Sequence, residues 1–155
     1  MTAPTTPPPP SAPAPASTAP AAPSPLGAML AGLSQAELMI AAGAALIMIT
    51  AVMFTIFSGY GVSDLTLVAA TFALIAVLWR RRLPAGVASN HTLLLFAIAA
   101  LLVVVAARNL LGDLVYIATP PAGLTIPRLI GMLGYYIGVV LVALGAFQLW
   151  SRRAG

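Results

Sequence analysis

From Leu38 to Phe57 the chain runs twenty residues without a charge, and three further apolar stretches follow before the C-terminus. Twenty helical residues at ~1.5 Å of rise each cover the ~30 Å hydrocarbon core of a bilayer. Inside that core each backbone N–H and C=O must find its partner within the protein, which a continuous helix provides. The sequence therefore predicts an all-α integral membrane protein, a four-helix transmembrane bundle with a disordered Pro/Ala-rich N-terminal tail. Its spans are expected at about 35–57, 64–80, 91–111 and 127–150, inside a transmembrane domain covering 34–155. Charged residues make up 6% of the chain, against roughly a quarter in soluble domains. Seven Arg and three acids cannot clothe a soluble fold, so the first partner expected is the lipid bilayer.

Residues 1–33 are expected to be a disordered cytoplasmic tail. Ten of the fourteen prolines fall in residues 1–25, among Ala, Thr and Ser and without a charge. Proline fixes φ and removes a backbone donor, and few large apolar groups are present to offset ordering entropy. A mobile, partly polyproline-II spacer is the consequence. The tail lacks the basic and apolar regions of a signal peptide. Its Pro-x-x-Pro spacings (Pro4 to Pro7, for one) fit an aromatic groove, but no Arg or Lys flanks them to set an orientation.

The first span has the best-marked start. Ser34-Gln35-Ala36-Glu37 reads as a helix cap in which Ser34 accepts from the Glu37 N–H and the Glu37 carboxylate reaches back. Ser58 to Val62 reads as a glycine-rich turn, with Ser63 as N-cap and Asp64 in the first turn of the second span. That span closes on Trp79 and Arg80-Arg81-Arg82. The third opens at Asn90-His91-Thr92, with Gly112 expected as its C-terminal cap; residues 113–118 either continue the helix or lie at the interface. Thr119 to Gly123 reads as a loop, and Pro127 is tolerated in the first turn of the fourth span.

Orientation follows from where the arginines collect. Arg80, Arg81, Arg82, Arg152 and Arg153 share one side if four spans cross, and Glu37 brings that side to +4; Asp64, Arg108, Asp113 and Arg128 sum to zero on the other. Positive side chains gather in cytoplasmic loops, and Trp79 and Trp150 fall at the same inner boundary, where amphipathic rings are favoured. A cell (inner) membrane protein with N-terminus and C-terminus both cytoplasmic is the expectation. The net charge does not imply nucleic acid, because no basic region stands apart from the apolar segments.

Few residues offer chemistry. With no Cys, one His and three acids, no catalytic, cofactor-binding or metal site is expected, and no cofactor. Arg108 lies seventeen residues beyond His91, ~25 Å across the core, where it can snorkel or form an outer ion pair with Asp64 on the neighbouring helix. Gly131, Gly134, Gly138 and Gly145 share one face of the fourth span, and Gly134 to Gly138 is a Gly-x-x-x-Gly pair allowing close helix approach. That face packs either within the chain, with Ala41, Gly43 and Ala45 of the first span as matching surface, or as a homodimer seam.

A Pro-rich tail, a capped first span ending in aromatics, a second opening on Asp64-Leu65 and closing on Arg, and a Gly-rich fourth ending in Arg together resemble small four-span membrane proteins of GC-rich bacteria that are themselves uncharacterised. The resemblance covers the whole chain, rests on layout, and implies no activity. Small multidrug transporters also have four spans but embed a Glu within the first; Glu37 sits in the first turn instead. The functional expectation is a structural or accessory protein, not an enzyme, that acts through helix packing with itself (a homo-oligomer) or with a larger membrane complex. The alternative is a small transporter or channel subunit whose path forms on oligomerisation.

Overall fold

The structure is a computed structural model that describes residues 24–58, 64–119 and 126–154. The tail through residue 23, the turn at 59–63 with its Ser63 cap, and the loop at 120–125 lie outside the described residues. Among the described residues there is no strand. A short α1 (Pro25–Leu30) precedes α2 (Gln35–Ser58) and α3 (Asp64–Leu78). A 3-10 turn (Arg80–Arg82) and a short α4 (Ala85–Ser89) lead into α5 (His91–Ala118) and α6 (Ile126–Ala154).

Three of these helices are long and apolar enough to cross a membrane, over Gln35–Ile56, His91–Val115 and Ile126–Arg153. The protein is a membrane protein on that ground. The shorter apolar helix α3 has 15 residues, or ~22 Å, less than the ~30 Å core.

Helix ends differ from expectation in three places. Residues 25–30, placed in the tail by composition, form α1: Pro25 occupies its first turn and the Ser24 hydroxyl accepts from the Gly27 N–H at 3.1 Å. Proline suits a first turn, where N–H groups have no intrahelical partner. The second span stops being α-helical at Leu78, and the arginines follow in a 3-10 turn whose Arg82 N–H donates to Trp79 O at 2.7 Å. Leu83 is extended (φ −68°, ψ 142°), as a residue before proline should be. The third span ignores Gly112 and continues to Ala118, so residues 113–118 are helical. A mid-helix glycine costs only ~1 kcal/mol. The stop comes at Thr119, ahead of Pro120, where the Thr119 N–H and hydroxyl both donate to Val115 O at 2.9 and 2.8 Å.

Packing forms a ring. α2 lies along α6 in the most extensive contact of the fold, α6 against α5, α5 against α3, and α3 back against α2. The core is built from alanines at close approach (Ala44, Ala70, Ala73, Ala99) around Ile40, Ile47, Leu95, Leu102 and Val142. In lipid, apolar surface gains little by leaving its surroundings, so dispersion between well-fitted helices carries the association and small residues permit it.

The α2–α6 seam shows why. A Cβ added at Gly43 would meet the Gly138 carbonyl oxygen at 2.5 Å, and one at Gly138 would meet the Gly43 carbonyl at 2.8 Å. Gly145 faces Ala36 and Ile40, Gly134 faces Thr50, and Gly131 faces the Phe54 ring. As α2 advances from Ala36 to Phe54, its partners on α6 run back from Gly145 to Gly131, so the two helices are antiparallel. All four glycines of the α6 face thus lie against α2 of the same chain. The buried Thr50 hydroxyl donates within its own helix, to Leu46 O and Ile47 O at 2.9 Å each.

Candidate functional site

The polar side chains gather at the two ends of the bundle. At the arginine end, Ser34 and Glu37 close their box: the Ser34 N–H and hydroxyl each donate to Glu37 Oε2 at 2.9 Å, and the Glu37 N–H donates to Ser34 Oγ at 3.3 Å. The Glu37 side chain is 1% exposed. A carboxylate that deep needs a cation as well as hydrogen bonds. Arg80 provides it, its Nη1 donating to Glu37 Oε1 while the side chain as a whole stays half exposed.

This pair joins the start of α2 to the end of α3. By sequence alone the two residues have separate roles, one as cap and the other as boundary marker. The signal for joining them was present: opposite charges at the same end of two consecutive antiparallel helices.

Two further contacts lie at this end. His91 is buried, and its Nε2–H donates to the Ala76 carbonyl at 3.0 Å. The last carbonyls of a helix have no partner in their own helix, so the imidazole closes the end of α3 from α5. Phe96 and Trp150 stack with centroids 5.2 Å apart, tying α5 to the last turns of α6. Trp79, Arg82, Arg152 and Arg153 are exposed around this rim, while the Arg81 side chain lies outside the description. Glu37, Ala76, Arg80, His91 and Trp150 thus mark one layer in which α2, α3, α5 and α6 each have an end.

At the opposite end, the Tyr136 hydroxyl donates to Asp113 Oδ2 at 2.6 Å, linking α6 to α5. Tyr135 turns inward, because it continues the buried stripe Met132, Tyr135, Val139, Val142 and Ala146 of α6. Its ring meets Tyr136 edge-on at 5.1 Å. The Tyr135 hydroxyl is buried beside Thr66 and Asn109.

Arg108 is exposed on the arc of α5 that also carries Val104, Leu111 and Val115, away from the helix's buried stripe of Leu95, Ala99, Leu102 and Ala106. The Asp64 side chain lies outside the described residues, so the expected Arg108–Asp64 pair does as well.

Between α5 and α6 runs a groove of about 290 Å³, walled by Val103, Ala106, Ala107, Val140, Ala143 and Leu144 among others. Alanines on both helices make it concave. Among the described residues no group of three or more His, Cys, Asp or Glu stands close enough to hold a metal. His91 and Asp113 sit at opposite ends of α5, twenty-two residues or ~33 Å apart, too far to share a proton. No protein-family model, no curated protein and no solved structure matches this chain.

Proposed function

We propose that the chain is a non-enzymatic four-span protein of the cell membrane, with both termini cytoplasmic, that acts as a structural or accessory component by docking a further transmembrane helix in the α5–α6 groove. The observation that carries the reading is the groove itself. The glycine face of α6 is filled by α2, so association by close helix packing needs another concave, small-residue surface. Ala106, Ala107 and Ala143 supply one. Exposed leucines and valines alone would say nothing, since lipid solvates them as well as a partner would.

The test is co-purification in mild detergent, comparing the unaltered chain with Ala107→Trp and Ala143→Phe. These fill a lipid-facing groove, so folded yield should hold while a stoichiometric helical partner, or the second copy, is lost at least 10-fold. A partner retained undiminished by both variants sinks the reading.

Four crossings are supported by the shared layer at the arginine end, where α3, although short, returns to the level of Glu37. The chain has no cysteine of its own, so single cysteines report its topology. Those introduced at Ser58 and Ala122 should react with an impermeant thiol reagent in intact cells, and those at Ala3, Ala85 and Ala154 should stay protected until lysis. Labelling at Ala85 with protection at Ser58 reverses the orientation; labelling on opposite sides at Ala3 and Ala85 removes the α3 crossing.

A transporter or channel subunit is the second reading, favoured by the buried Tyr135 hydroxyl beside the Asp113–Tyr136 pair. Solute flux into proteoliposomes that is abolished by Asp113→Asn would move the assignment to it.

A further inference from the structure

Beside the arginine end, the chain folds over an open cleft of about 510 Å³. Its apolar wall is Leu33, Val77 and Leu78, and its rim is Trp79, Arg80 and Arg82. We propose that this cleft binds one anionic phospholipid, with the phosphate on Arg80 and Arg82 and the glycerol and upper acyl segments against the apolar wall.

The charge at this end selects the ligand. Among the described residues Glu37 is the only acid there, and it is already held by Ser34 and by one nitrogen of Arg80. The Arg80 side chain is half exposed and its contact with Glu37 is through Nη1, and Arg82 makes no ion pair among the described residues. A guanidinium presents a planar fork of donors that matches phosphate oxygens two at a time. Arginine pockets between helices at a membrane boundary are the kind of site that takes anionic headgroups.

The shape points to a lipid rather than a soluble anion. Leu33 and Leu78 offer nothing to a free phosphate, yet fit the first methylenes of an acyl chain. Trp79, roughly half exposed at 48%, stands where an indole favours the headgroup level. A zwitterionic lipid carries the same phosphate, but its ammonium would face the unneutralised guanidinium of Arg82.

The proposal needs the arginine end to sit at a membrane boundary and is independent of any helix partner. The experiment is native mass spectrometry of the full chain extracted from vesicles of equal phosphatidylglycerol and phosphatidylcholine. One phosphatidylglycerol per chain should be retained, at least 5-fold over phosphatidylcholine. Arg82→Gln should cut that preference to near unity, whereas Arg152→Gln, which removes the same charge from the same end outside the cleft, should leave it intact. Equal retention of both lipids, or equal effects of the two variants, overturns the proposal by reducing it to surface charge.

A second measurement needs no arginine variant. In a Trp150→Phe background, Trp79 fluorescence should be quenched more steeply by brominated phosphatidylglycerol than by brominated phosphatidylcholine. Identical quenching by the two lipids refutes the site. Failure to insert into either vesicle would instead sink the membrane reading itself.

Discussion

Gly43→Ala should destabilise the protein by about 1–3 kcal/mol, the range for overpacking a close-fitted core, and Gly43→Leu should abolish monodisperse folded protein. The new Cβ would lie 2.5 Å from the Gly138 carbonyl oxygen and 2.9 Å from Leu141 Cβ. The first of these is backbone, which no rotamer change can move. Both helices are among the longest in the fold, so relief at one point means separating a seam of ~20–25 Å. The measurement is unfolding in mild detergent by titration with a denaturing detergent. Gly112→Ala is the informative companion, because nothing lies within 4 Å of a Cβ there and alanine favours a helix interior by ~0.5–1 kcal/mol. The two glycine replacements should therefore act with opposite sign. If Gly43→Ala is neutral, α2 and α6 do not meet at Gly43.

How far the sequence discloses this arrangement depends on the kind of signal. Glycine spacing on α6 is a geometric statement about one helix, and it marks the face that packs. It says nothing of which helix fills that face, since a neighbour in the chain and a second copy demand the same small residues. Gly43 was one of three matching positions, and the contacts of Ile40, Ile47 and Thr50 with the glycines depend on a crossing geometry that a single helix does not encode. Helix ends show the same division. Ser34 and Glu37 form a local box, legible because both partners lie within one turn. Gly112 misleads, since its ability to cap a helix matters only where the chain has a reason to stop; that reason is Pro120, eight residues later. Composition likewise reads the stretch before Ser34 as tail, whereas Pro25–Leu30 is a helix capped by Ser24.

The polar contacts across helices were the least legible part. By sequence Arg80 is one of five arginines marking a side of the membrane, a role in which each is interchangeable. The structure distinguishes it, because among the described residues Arg80 is the one placed against a carboxylate, while Arg82, two residues on, stays exposed. Topology rules treat charges as a sum, whereas packing treats them one at a time. Tyr135 and Tyr136 show the same limit: adjacent in sequence and alike in an aromatic belt, they point about 100° apart on a helix. One therefore enters the core and the other reaches Asp113.

Arg80→Met should be the costliest change at the arginine end, and costlier than Arg82→Met or Arg152→Met by about 1–3 kcal/mol. A buried pair broken from one side loses ~3–5 kcal/mol because the remaining charge is stranded, and the half exposure of Arg80 reduces that figure by solvent screening. Glu37→Gln should cost less than Arg80→Met. Glutamine keeps an oxygen for the Ser34 N–H and leaves no charge in the core, and the freed arginine can turn to water or to lipid phosphate. The pair Glu37→Gln with Arg80→Met then decides the cause. If Arg80 matters by holding the carboxylate, the double variant should be more stable than Arg80→Met alone, because neutralising Glu37 removes the stranded charge. Denaturing-detergent titration of the four proteins gives the coupling directly, and a coupling within ~0.3–0.5 kcal/mol of zero means the two side chains act independently. The same contact fixes the end of α3 to the start of α2, so Arg80→Met should also loosen the short helix, seen as faster amide exchange over Val77 to Trp79 than at the far end of α2. Uniform exchange across both helices would place the loss in the whole bundle, and the ion pair would then have no special part in returning α3 to the arginine side.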